Sequence, residues 1–73
     1  MADPNYVNIG SNTIKLIEEC GELIQAVCKG DRFGWQNKYP DKDSPTNLEI
    51  LEYEFEDLIR AFNNLKEEIL NGE

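Results

Sequence analysis

The chain has 73 residues, with seven Lys and Arg against fifteen Asp and Glu, no histidine and a net charge of −8. A single domain of this length, residues 1–73, buries little apolar surface and ordinarily needs a disulfide, a metal or a second subunit. The charge argues against a nucleic-acid surface and against docking on anionic lipid, and the missing histidine excludes His-based zinc sites and His-based catalysis.

Residues 1–10, MADPNYVNIG, are polar and broken by Pro4 and Gly10, and they read as an N-terminal arm. With no basic start and no apolar core they do not read as a secretory signal. No apolar run approaches the roughly 20 residues of a membrane span. A cytoplasmic protein is expected, in the host cytoplasm if the source is viral.

The next segment, 11–30, places Leu16, Ile17, Cys20, Leu23, Ile24 and Val27 at the spacing of an amphipathic helix. Ser11 or Asn12 can cap its start and Gly30 its end. Cys20 and Cys28 are eight residues apart, about 12 Å along a helix. A disulfide needs Cα atoms within roughly 7 Å. The two therefore read as small core residues of a reducing compartment.

Residues 31–45, DRFGWQNKYPDKDSP, form a loop rich in Pro, Asp and Lys. A connector this long in so small a domain is often functional. Phe33, Trp35 and Tyr39 can stack a base or close the end of a core. A second helix is expected over 46–71. Thr46 and Glu49 have capping-box spacing, and Leu48, Leu51, Phe55, Leu58, Ile59, Phe62, Leu65 and Ile69 form its apolar stripe. The fold expected is therefore all-α: a helical hairpin with a long loop. Two helices enclose no core between them, so hairpins should pair into a four-helix-bundle-like assembly, a dimer or tetramer.

Nearly the same nine residues occur twice, ECGELIQAV from Glu19 and EFEDLIRAF from Glu54. At about 100° per residue, Glu19 and Glu22 flank the first stripe, taken as centred on Cys20 and Val27. Glu54 and Asp57 flank the second, centred on Phe55 and Phe62, on the same side. Side by side, the helices would bring four carboxylates together. Such a group is self-repelling unless a cation sits within it, and an all-oxygen ligand set suits Mg²⁺ or Mn²⁺. A di-iron carboxylate bundle would need Glu-x-x-His, which the chain lacks.

The spacing Glu19-x-x-Glu22 followed by Glu54-x-x-Asp57 resembles the signature of the all-α nucleoside triphosphate pyrophosphohydrolases, the MazG-like superfamily. LIEECGELIQAVCKGDRFG and TNLEILEYEFEDLI are similar to short members found largely in bacteriophages. The resemblance covers about residues 14–65. It implies an oligomerising all-α fold that hydrolyses ribo- or deoxyribonucleoside triphosphates to the monophosphate and pyrophosphate. Glu19, Glu22, Glu54 and Asp57 would then hold Mg²⁺, with Mn²⁺ as the substitute. Glu18 becomes a candidate second-metal ligand or base for the attacking water. Lys29 and Arg32, which also suit a helix C-terminus, become phosphate contacts. Asn47 becomes a substrate contact or a cap. Lys15 and Arg60 offset the acidic charge. Relatives commonly carry a further helix and more basic and aromatic residues. Here those contacts would be missing, or would come from the loop or a neighbouring subunit, and a reduced member of this kind could bind metal and nucleotide yet hydrolyse slowly.

Two other classes compete. One is a non-catalytic helical interaction protein on the same scaffold, its acids merely solvated. The other is a calcium-binding module, with Asp41–Glu52 as its loop and acids at positions 1, 3, 9 and 12. Thr46 stands there where the turn requires Gly, and Pro45 precedes it.

Overall fold

The computed structural model describes residues 10–72 and contains two helices, α1 (Asn12–Phe33) and α2 (Asn47–Gly72), packed as a hairpin. The all-helical expectation holds for these residues; the arm over residues 1–9 lies outside them. Neither helix is long and apolar enough to cross a membrane.

The helix starts follow from local chemistry. Ser11 caps α1: its hydroxyl accepts from the Ile14 N–H at 3.2 Å. Thr46 caps α2 reciprocally. Its hydroxyl accepts from the Glu49 N–H at 3.1 Å, and the Glu49 carboxylate accepts from the Thr46 N–H at 2.9 Å. That is the capping box expected from the spacing.

The end of α1 differs from expectation. The helix passes through Gly30 and stops at Gly34, whose φ of 97° suits glycine. Gly30 is a buried helical residue because the Trp35 ring lies against it, and a β-carbon there would overlap that ring. The connector then folds back on itself. Lys38 and Thr46 form an isolated antiparallel bridge. The Asn47 N–H donates to the Asn37 carbonyl at 3.0 Å and the Leu48 N–H to the Trp35 carbonyl at 2.9 Å. The Tyr39–Pro40 peptide is cis.

The face buried between the helices also differs. The buried apolar residues are Ala26 and Ala61. Both are small, so the helices approach along that line and enclose Glu19 beside it. Cys20 and Val27, taken as the centre of the buried stripe, are exposed, as are Phe55 and Phe62. Cys20 and Cys28 are free thiols on the surface of the single chain, not core residues. The physical reason is angular: Cys20 stands about 100° round α1 from Glu19. The line of closest approach passes through the acidic flank rather than the apolar centre. The radius of gyration is 15.7 Å, against about 11 Å for a compact domain of this length. The hairpin is an open pair of helices whose large apolar side chains have little to cover them.

Candidate metal centre

Glu19 and Glu22 lie on neighbouring turns of α1, and Glu54 faces them from α2. One carboxylate oxygen from each comes within 4.8 Å of the others. This is the only such group of three among the described residues. Glu19 is 6% exposed, Glu54 is half-buried and Glu22 is exposed at the rim. The Glu19 Oε1 atom stands 3.4 Å from the Lys15 ammonium, one turn back. Its Oε2 atom and that of Glu54 are buried with no hydrogen-bond partner.

Buried carboxylate oxygens left unpaired among other carboxylates are costly. A hard divalent cation supplies what these oxygens lack. Mg–O bonds of about 2.1 Å put two ligands of one ion no more than about 4.2 Å apart. The observed group, with one oxygen from each carboxylate within 4.8 Å of the others, is of that scale. The donor set therefore fits the expected Mg²⁺ or Mn²⁺.

Asp57, the fourth expected ligand, is engaged elsewhere. Its Oδ1 atom accepts from Arg60 at 2.8 Å. It shares a cleft of about 190 Å³ with Lys15, Glu19, Arg60 and Asn64, on the side of the carboxylates away from the loop. Glu18 is exposed and outside the group. It stands one turn before Glu22, on the same exposed flank.

The expected substrate contacts separate. Lys29 and Asn47 line one cleft of about 450 Å³ with Phe33, Asn37, Lys38, Tyr39 and Ile50. Arg32 is exposed in the last turn of α1 and is not part of it. The Asn47 side-chain amide donates to the Gly34 carbonyl at 2.8 Å. It thus ties the start of α2 to the end of α1, while capping falls to Thr46. Lys38 and Asn37 were not singled out from the sequence. The signal was present as a loop both aromatic and cationic, but only the fold-back brings these residues opposite Lys29.

The calcium-loop arrangement does not form in these residues. Asp41 closes a tight turn, accepting from the Asp43 N–H at 2.9 Å. Glu49 is committed to the Thr46 cap.

Comparison with family models, with curated proteins and with solved structures returns no match for this chain.

Proposed function

We propose that the chain is a metal-dependent nucleoside triphosphate pyrophosphohydrolase of the MazG-like kind. It would convert a ribo- or deoxyribonucleoside triphosphate to the monophosphate and pyrophosphate. The observation that carries this reading is the buried Glu19 carboxylate, with an unpartnered oxygen, facing Glu22 and Glu54 across the helix pair. The motif resemblance names the same residues independently of the geometry.

When bound, the cation would offset the triphosphate charge and acidify a coordinated water. Glu19, Glu22 and Glu54 would hold it, and Asp57 would be available as a fourth ligand if released from Arg60. Glu18, beside Glu22 at the rim, accepts the proton of the attacking water. Lys29 steadies phosphate oxygens from the loop side. The exposed apolar face, with Ile24, Val27, Phe55, Ile59 and Phe62, supports pairing of two hairpins into a bundle.

The test is pyrophosphate release from a panel of ribo- and deoxyribonucleoside triphosphates, with Mg²⁺, with Mn²⁺ and with chelator. Metal-dependent release that Glu19→Gln and Glu54→Gln both abolish is the expected result. A folded protein that releases none with any nucleotide overturns the reading. The same apolar face favours a second reading, a non-catalytic helical interaction protein. In that case partner binding would survive Glu54→Gln and would not depend on metal.

A further inference from the structure

The cleft at the loop end differs in character from the rest of the molecule. Its lining contains Lys29 and Lys38 and no acid, in a chain of net charge −8. Lys29 makes no salt bridge among the described residues, and the Lys38 ammonium donates only to the Lys42 carbonyl, at 3.3 Å. Two rings join them with open faces: Phe33 is 58% exposed and Tyr39 84%. The amides of Asn37 and Asn47 and the side chain of Ile50 complete the wall. A volume of about 450 Å³ lies in the range of small-molecule sites. Lysines free of salt bridges among the described residues, beside exposed rings, suit a ligand that is both anionic and planar.

The cleft also has a fixed relation to the carboxylates. Lys29 follows Glu22 by seven residues on α1, and Asn47 precedes Glu54 by seven on α2. Each step is two turns, about 10 Å. A ligand whose phosphates reach the carboxylate group can extend its other end into the cleft.

We infer that this cleft is a nucleoside-phosphate subsite, in which Phe33 and Tyr39 hold the base and Lys29 and Lys38 hold phosphate. The identity of the ligand rests on the proposed pyrophosphohydrolase reading; the cleft and its lining do not. Tyr39 and Lys38 lie on the loop and exposed, so they can be replaced without entering the helix interface. Tyr39 helps hold the base and Lys38 the phosphate, while the carboxylates act on phosphate alone.

The experiment is an amide-resolved NMR titration of the full chain with a nucleoside monophosphate, in the presence of chelator. Inorganic pyrophosphate is the second probe. The expected result is shifts at Asn37, Lys38 and Tyr39, with Tyr39→Ala weakening monophosphate binding about tenfold or more, the scale of one lost base–aromatic stack. Tyr39→Ala should leave pyrophosphate binding unchanged, Lys38→Ala should weaken both, and Glu54→Gln should alter neither. Monophosphate affinity indifferent to Tyr39→Ala, or shifts confined to the neighbourhood of Glu22 and Glu54, overturns the subsite. Metal-dependent pyrophosphate release with a silent cleft overturns the subsite and leaves the enzyme standing. Monophosphate binding in the cleft without any release does the reverse.

Discussion

The six-membered ring of Trp35 occupies the space that a side chain at Gly30 would need. The contact locks the turn after α1 onto the last buried residue of that helix. It explains a glycine in a helix interior, where it costs about 1 kcal/mol relative to alanine. Gly30→Ala recovers that propensity but drives a methyl into the ring, and overpacking costs about 1–3 kcal/mol. The net expectation is a loss on the order of 1 kcal/mol, read as a lower urea midpoint. Tryptophan emission should move to longer wavelength as the indole is displaced. A variant as stable as the parent, with unchanged emission, would show that the ring does not rest there in solution.

Acid should loosen the start of α2 through one identifiable group. The bond from the Thr46 N–H, then that from the Thr46 hydroxyl, hold the Glu49 carboxyl below its usual value of 4.5, with a smaller contribution from Lys38; desolvation opposes them. Because the folded value is depressed, the stabilisation is complete above the unfolded value. It is lost as pH falls from 4.5 through the folded value. Glu49→Gln should flatten this part of the stability profile, which falls at and below pH 4.5. Thr46→Ala removes the cap itself and should cost about 1 kcal/mol at neutral pH. Urea midpoints measured across that range, for parent and both variants, decide the matter. Parallel profiles for the parent and Glu49→Gln would contradict it.

What could be read from the sequence was local. The Thr46–Glu49 cap and the Ser11 cap depend on three-residue spacings, so pattern sufficed. The meeting of Glu19, Glu22 and Glu54 followed from the repeat, which sets equivalent acids on the same flank of both helices. The apolar stripe was legible from its spacing, but not that the two helices of one hairpin would meet beside it rather than along it. That meeting line is marked by the small residues Ala26 and Ala61, which carry little hydrophobic weight. Gly30 was ambiguous for a related reason: a glycine can end a helix or admit a neighbour, and only the position of Trp35 decides. The cleft joining Lys29 to Lys38 and Tyr39 depends on backbone bonds between Trp35, Asn37 and the start of α2. No spacing rule announces those.

The apolar stripe left outside the helix–helix contact has a direct consequence for assembly. Ile24 is 64% exposed and Phe55 52%. Leu23, Val27, Leu51 and Phe55 line an open apolar groove with Glu52 and Glu56 at its margin. A continuous face of this kind is rarely left to water. The parent should sediment as a dimer or larger species. Ile24→Asp and Phe55→Asp should each shift it toward monomer and lower its thermal midpoint, since a partner that binds only the folded chain stabilises it by mass action. Neither substitution touches the carboxylate group. A parent that sediments as a stable folded monomer at all concentrations would defeat the bundle.

Asp57 and Arg60 offer the sharpest test of the metal centre. Their 2.8 Å pair holds the fourth expected ligand away from the other three. Both side chains are substantially solvent-exposed, and exposed pairs are worth roughly 0.2–1 kcal/mol. If Asp57 must leave Arg60 to coordinate, Arg60→Gln removes that competition and tightens Mn²⁺ or Mg²⁺ binding by up to about fivefold. Loss of a nearby positive charge alone would also tighten binding, so the single variant is not decisive. The double-mutant cycle with Asp57→Asn separates the two effects. Where Asp57 is a ligand, Asp57→Asn weakens binding, and the gain from Arg60→Gln shrinks in that background because the competition has gone. Where only charge matters, the two changes are additive. Calorimetric titration of the four proteins with Mn²⁺ gives the coupling directly. Additivity would restrict the centre to Glu19, Glu22 and Glu54, with Asp57 serving only to anchor Arg60 beside them.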